Sequence, residues 1–317
     1  PSLPPDTAVR PAPKPATPTG LTASDGSSTA QVAVSWNAVT GATSYELFRN
    51  TANNFAGASS IYSGATASYN DTGAAPGQQY WYWVRASNAS GSSDASSPDT
   101  GYRKLTAPTG VAASDGNSTA QVTVSWSAVT GATAYHVYRK TDSSPTGATA
   151  LGAQSSGFTD APTPGQLYYY WVVASNSTSS STSDWSTADS GYRKLATVTD
   201  VAATENLSDK IRVTWTDIAG ETGYSIWRNT VDVSGSAAIV GTAAANAVSY
   251  DDTSADADQD YYYWVRGTNS TSASMSDFSA SDYGYRILGE PTTPASAILF
   301  GDLDTGSYTV SWTRGDG

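Results

Sequence analysis

Apolar and polar residues alternate with a period of two along most of the chain, and no stretch carries helical spacing. Val32, Val34 and Trp36 alternate with polar neighbours, and Tyr45 and Leu47 continue the same inward face while Phe48 points outward. Ile61 and Tyr62, then Tyr69, mark two further short strands; a first strand runs from Gly20 to Ser24 and a last one ends near Tyr102. Asp25-Gly26-Ser27-Ser28, Thr40-Gly41-Ala42, Pro76-Gly77 and Ser90-Gly91 supply turn residues between them. The alternation fails in Tyr80–Asn88, which is apolar on both faces. Tyr80, Tyr82, Val84 and Ala86 share one face, and Trp81, Trp83 and Arg85 the other. One face builds a core, so the other must be covered or used. Seven short strands at this spacing predict a β-sandwich.

The doubly apolar run returns as Tyr168–Asn176 and Tyr261–Asn269, and everything around it repeats too. Trp36, Trp126 and Trp215 lie 90 and 89 positions apart, and Gly101-Tyr102-Arg103 recurs at Gly191-Tyr192-Arg193 and Gly284-Tyr285-Arg286. The repeat divides the chain into a Pro-rich linker or tail at 1–15 and three sandwich domains at 16–105, 106–195 and 196–288. The links at Leu105–Pro108 and Leu195–Val198 are so short that a stiff rod of domains is expected. Residues 289–317 repeat the opening of a unit. Val310 and Trp312 stand as Val34 and Trp36 do, so these residues read as the first strands of an incomplete fourth sandwich, completed either by chain downstream or by a neighbouring subunit.

Asp25-Gly26 through Trp36, Gly41–Arg49 and Gly77–Ala86 resemble the bacterial branch of fibronectin type III domains, and the resemblance extends over all three units. It implies an all-β, immunoglobulin-like sandwich with a buried tryptophan on the second strand, here Trp36, Trp126 and Trp215. It also implies a tyrosine opening the sixth strand whose hydroxyl bonds back to the preceding corner, here Tyr80, Tyr168 and Tyr261. Such domains serve as adhesive modules, spacers and enzyme appendages, so the resemblance speaks to fold more than to function.

Composition narrows the function. The net charge of −12 disfavours nucleic acid and anionic membrane surfaces, which call for basic patches. With no cysteine there is no disulfide, thiolate zinc site or cysteine nucleophile. No apolar run is long enough to span a bilayer as a helix. His136, the single histidine, sits at an outward strand position with no acid or hydroxyl partner near it in sequence, so no catalytic triad is expected. Asp251, Asp252, Asp256, Asp258 and Asp260 could offer oxygen ligands to calcium, but their spacing is not that of a calcium loop, and a solvated acidic loop is the expectation. Arg314-Gly315-Asp316 is an integrin-type tripeptide in ordinary turn chemistry, and the sequons at Asn88, Asn176 and Asn269 occupy one repeated turn that asparagine favours. No cofactor or metal is implied.

The candidate binding residues are the outward aromatics of the third and sixth strands. They are Phe48, Trp81 and Trp83 in the first unit, Tyr138, Tyr169 and Trp171 in the second, and Trp227, Tyr262 and Trp264 in the third. Three readings stay open for them: a cross-strand ladder stabilising one sheet, an interface with other protein subunits, or a platform stacking on glycan rings. These features together lead to the expectation of a non-catalytic, secreted or cell-surface structural protein. It would form or decorate a filament through protein–protein contacts, as a homo-oligomer. The alternative is a carbohydrate-binding or spacer array of a secreted polysaccharide-degrading enzyme.

Overall fold

The computed structural model describes residues 12–289. The opening strands of a fourth sandwich, Arg314-Gly315-Asp316 and the first part of the Pro-rich segment lie outside these residues.

In the first sandwich the strands are β1 (Thr22–Ala23), β2 (Val32–Ser35), β3 (Ser44–Asn50), β4 (Ser59–Gly64), β5 (Ser68–Asp71), β6 (Tyr80–Asn88), β7 (Gly91–Ser92) and β8 (Asp99–Gly101). They form two antiparallel sheets, β1-β2-β5 and β4-β3-β6-β7, with β8 also paired to β6. The last predicted strand is thus split into two pieces, β7 and β8. The second sandwich has β9 (Ala112–Ala113), β10 (Val122–Ser125), β11 (Ala134–Lys140), β12 (Thr149–Gln154), β13 (Phe158–Asp160), β14 (Tyr168–Ser175) and β15 (Asp189–Gly191), in sheets β13-β10-β9 and β12-β11-β14-β15. In the third, β16 (Ala202–Ala203), β17 (Ile211–Thr214) and β20 (Ser249–Asp252) form one sheet. The other holds β18 (Gly223–Asn229), β19 (Ala238–Ala244), β21 (Asp260–Asn269), β22 (Ser274–Met275) and β23 (Asp282–Tyr285). The described residues fall into two compact units: one contains the whole first sandwich with Thr123–Thr159 and Tyr168–Ser190, the other the third sandwich with Ser114–Val122 and Asp160–Leu167.

Alternation dictates the cores. Val32, Val34, Trp36, Tyr45, Leu47, Tyr82, Val84 and Ala86 are buried in one cluster between the two sheets of the first sandwich. Ile211, Val213, Trp215, Tyr224, Ile226, Tyr263 and Val265 do the same in the third. Burying this much apolar surface is the main drive for each sandwich to close. The second-strand tryptophans Trp36, Trp126 and Trp215 are all buried, and their rings lie 5.5, 5.6 and 5.1 Å from Tyr45, Tyr135 and Tyr224. The hydroxyls of these tyrosines accept the backbone N–H of Val39, Val129 and Ile218 at 2.7, 2.7 and 3.0 Å, so each phenol finds a partner.

Candidate functional site

Each sandwich presents the outward face of its larger sheet. The expected side-by-side placement is met: Phe48 stands opposite Trp83, Tyr138 opposite Trp171, and Trp227 opposite Trp264. A register shift in the neighbouring strand pair falls beside the first member each time, between Leu47 and Phe48, between His136 and Tyr138, and between Ile226 and Trp227. Such bulges re-aim a side chain, here toward the outward aromatic cluster.

At its centre the stripe is closed to solvent. Trp83, Trp171 and Trp264 are only 4%, 2% and 4% exposed. They point away from the sandwich core, yet other side chains of the same face and its loops close over them. In the first sandwich a short 3-10 turn, Phe55–Gly57, is capped by the Asn54 side chain, which accepts from the Ala56 N–H. The turn lays Phe55 edge-on against both Phe48 (5.1 Å) and Trp83 (5.8 Å). Arg85 then stacks over Phe55 at 4.6 Å. In the third sandwich Phe278 meets Trp227 at 5.2 Å, with Arg266 over Phe278 at 4.6 Å. In the second, Trp185 lies 4.4 Å from Tyr138 and is itself 41% exposed. Phe48, Trp81, Tyr138, Tyr169, Trp227 and Tyr262 are half-buried.

The covering rings come from two different places. Trp185 and Phe278 each precede a serine, Ser186 and Ser279, that bonds back to the sixth strand; the matching residue before Ser96 in the first sandwich is Ala95. Phe55 matches Pro145 and Ser234, each of which accepts the same turn-closing N–H, from Ala58, Ala148 and Ala237. Where one loop lacks the ring, the other supplies it. Sequence reasoning passed over Phe55, Trp185 and Phe278 because each is a lone aromatic in a loop. Aligning the three repeats position by position exposes the exchange.

One position along the same strands, on the opposite face, lies a buried polar cluster. Asp71 is buried and accepts from Arg49 at 2.7 Å, from the Tyr82 hydroxyl at 3.0 Å and from the Gly73 N–H at 3.0 Å. Asp252 repeats this with Arg228 (2.7 Å), Tyr263 (2.9 Å) and Ser254. The guanidiniums of Arg49 and Arg228 also lie 4.4 Å over the rings of Tyr80 and Tyr261. Burial, and then the neighbouring carboxylate, raises Tyr82 and Tyr263 far above the ordinary phenol range. For Asp252, burial works against ionisation, but bonds from Ser254 and Tyr263 and the charge of Arg228 outweigh it and hold the carboxyl below its usual value. Every acceptor is used within the fold, so these clusters are built to stay shut.

The acids near the third aromatic strand do not converge. Asp251 is engaged by Lys210 at 2.9 Å and Arg212 at 2.7 Å, Asp252 is buried as described, and Asp260 accepts from the Tyr283 hydroxyl at 2.7 Å. Among the described residues no group of three acids or imidazoles is placed to hold a metal ion. His136 lies on β11, half-buried, opposite Val173 and Ala153. The repeated sequon asparagines serve their turns. The side-chain amides of Asn88, Asn176 and Asn269 donate to the carbonyls of Gly41, Gly131 and Gly220 at 3.1, 2.6 and 2.6 Å. Their oxygens accept the N–H two residues on, at Ser90, Thr178 and Thr271. No helix among the described residues is long and apolar enough to cross a membrane.

The corner tyrosines complete the picture: the hydroxyls of Tyr80 and Tyr261 accept from the N–H of Ala75 and Asp256 at 3.3 and 3.4 Å. Strand order, second-strand tryptophan and corner tyrosine together define a class, and the chain is a tandem array of fibronectin type III-like sandwiches. No protein-family model matches it. Exoglucanase B of Cellulomonas fimi is 31% identical over 287 residues, which is 80% of this chain but 24% of that protein, so the chain spans about a quarter of the relative it matches. Among solved structures, the FN1-FN3 domains of chicken CNTN1 align with 86% of this chain and 99% of theirs at 17% identity and a TM-score of 0.29. A two-domain fibronectin type III segment of chicken tenascin covers 55% of this chain and 97% of its own at 18% identity, TM-score 0.43. A Fn3-like protein from Clostridium thermocellum covers 29% and 98% at 35% identity, TM-score 0.27.

Proposed function

We propose that the chain is a non-catalytic spacer array of a secreted polysaccharide-degrading protein, holding the parts on either side of it at a set separation. The observation that carries this reading is the burial of the central outward tryptophan in each of the three sandwiches. A glycan platform needs flat, accessible aromatics, and an adhesive contact needs an exposed apolar patch. Trp83, Trp171 and Trp264 offer neither, since they are at most 4% exposed. Similarity to part of an exoglucanase supplies the context of polysaccharide degradation and an extracellular location. His136 stands opposite Val173 and Ala153, and Asp71, Asp251 and Asp252 are engaged by Arg and Lys, in keeping with a role without chemistry of its own.

The test has two arms. The chain alone, incubated with insoluble cellulose, xylan and chitin, is expected to stay in the supernatant. Placed between a cellulose-binding module and a cellulase catalytic domain, it is expected to raise activity on insoluble cellulose over a direct fusion and to leave activity on a soluble substrate unchanged. Retention on a polysaccharide, lost on Trp81→Ala or Tyr262→Ala, would overturn the spacer reading in favour of glycan binding. Filaments of the isolated chain in electron micrographs would overturn it in favour of assembly.

A further inference from the structure

Where one sandwich meets the next, the same set of contacts appears twice. In the first compact unit, the turn Pro76-Gly77 abuts Gly131, and the Gly77 carbonyl accepts from Ser179 Oγ at 2.5 Å. Leu105, fully buried, packs against Val129 and Ala174, and Lys104 pairs with Asp184 at 2.5 Å. In the second unit, Pro164-Gly165 abuts Gly220, and the Gly165 carbonyl accepts from Ser272 Oγ. Leu195 is fully buried there beside Gly267, and Lys194 pairs with Asp277 at 2.6 Å. A side chain at either turn glycine would collide. A Cβ on Gly77 would lie 3.0 Å from the Gly131 oxygen, and one on Gly165 2.7 Å from the Gly220 oxygen.

The outer ends of the described array depart from this pattern. The third sandwich has Ala257-Asp258 in place of Pro-Gly, with Asp258 in the same left-handed conformation (φ 63°) and its N–H bonded to the Arg286 carbonyl as Gly77 bonds to Arg103 and Gly165 to Arg193. Ile287 stands where Lys104 and Lys194 stand. In the first sandwich, Asn88 to Ser93 takes six residues where Asn176–Ser183 and Asn269–Ser276 take eight, so the serine that clasps the incoming glycine carbonyl has no counterpart. The segment entering the first sandwich lies in that place instead, with Lys14 3.8 Å from Asp94 and Pro15 buried at the leucine position.

We propose that these contacts form a directional docking interface whose partner is the neighbouring sandwich, and that its residues mark which ends engage. An outgoing Pro-Gly turn, leucine and lysine are read by the glycine, asparagine, serine and aspartate of the sandwich that follows. The third sandwich carries Asp258 and Ile287 at the outgoing positions, so it lacks the glycine and lysine that the interface reads. The inference stands apart from the spacer reading, because it concerns how the sandwiches join and not what the array serves.

Since the chain has no cysteine, introduced pairs can be spin-labelled cleanly. Asn117→Cys with Ala245→Cys reports the second junction, and Ser27→Cys with Ser155→Cys the first; all four positions are exposed. Each pair in the full chain is expected to give one narrow distance distribution. Gly165→Asp installs the third sandwich's residue at a φ of 71°, which Asp258 shows aspartate can adopt. It should broaden the second distribution at least twofold and leave the first unchanged. Lys194→Ile with Ser272→Ala, which leaves the Pro164-Gly165 turn unaltered, should broaden the second distribution as well. A broad distribution at either junction of the unaltered chain, or a second distribution that stays narrow in both variants, would overturn the proposal. So would broadening that appears only together with loss of the third sandwich's amide protection.

Discussion

Phe55→Ala, paired with Ala95→Phe, tests whether the outward aromatics are covered for stability. Phe55 is half-buried and touches Phe48, Trp83 and the Arg85 guanidinium. Truncating a fully buried Phe to Ala costs about 3–5 kcal/mol, and half burial brings the transfer and cavity part to about 2 kcal/mol. The Arg85 stacking adds about 0.5 kcal/mol at a partly solvated site. A loss of about 2.5 kcal/mol corresponds to a roughly 70-fold rise in the opening constant. Amide hydrogen exchange read by mass spectrometry on the full chain would show that rise in peptides from β3 and β6, with little change in the second and third sandwiches. Acrylamide quenching should also rise as Trp83 becomes accessible. Ala95→Phe then places a ring where the second and third sandwiches carry Trp185 and Phe278, and it should recover at least half of the loss. A rise below about threefold in the single variant would mean that Phe55 covers nothing of consequence. No recovery in the double variant would refute the equivalence of the two loops.

Trp126→Ala should cost about 3–5 kcal/mol in the second sandwich and leave the first and third protected, as the same exchange measurement would report. Asp71→Asn should cost about 3 kcal/mol in the first sandwich, because it strips a buried guanidinium and a phenol of their shared acceptor; a loss under about 1 kcal/mol in urea unfolding would contradict this. Tyr82 and Tyr263 are held neutral in the fold, so their contribution is full below the unfolded phenol value of about 10 and declines as pH rises above it. Urea midpoints should therefore be level from pH 7 to about 9 and fall above about 10, and Tyr82→Phe with Tyr263→Phe should make that fall shallower. Asp252 has the opposite sign: its depressed folded value gives stability that is present above an unfolded value of about 3.9 and lost as pH falls through the folded one, so Asp252→Asn should flatten the acid limb of the third sandwich.

Most of the fold was legible because alternation and the repeat are redundant. Val32, Val34 and Trp36 announce an inward face, and the same triplet returns at Val122, Val124, Trp126 and at Ile211, Val213, Trp215. The split of the last strand into β7 and β8 was not legible, since Gly91–Ser92 and Asp99–Gly101 carry no apolar period. The site was legible in position and not in exposure. Period two puts Trp83 on the outward face correctly, but burial depends on what a loop lays over that face. Phe55 belongs to a loop whose path is set by an Asn54 cap and a bulge beside Phe48, neither of which leaves a periodic trace. Likewise Asp71 reads as a turn acid in sequence, and only pairing of β2 with β5 brings it under Arg49 and Tyr82.

The three copies together separate a covering role from a presenting one. A surface that binds a common ligand would offer the same rings at the same places in each copy, or in one copy alone. Here the opposed pairs Phe48–Trp83, Tyr138–Trp171 and Trp227–Trp264 keep their register while the third ring changes its loop of origin, from residue 55 to residues 185 and 278. What stays constant is the closure of the tryptophan, at no more than 4% exposure in any copy. The junction residues vary in the opposite manner: the turn glycine, the lysine and the clasping serine recur at both internal joints and change only at the outer ends. Closed faces and repeated joints are what a unit needs if its task is to hold a distance, because the faces then make no competing contacts and the joints fix the step from one sandwich to the next.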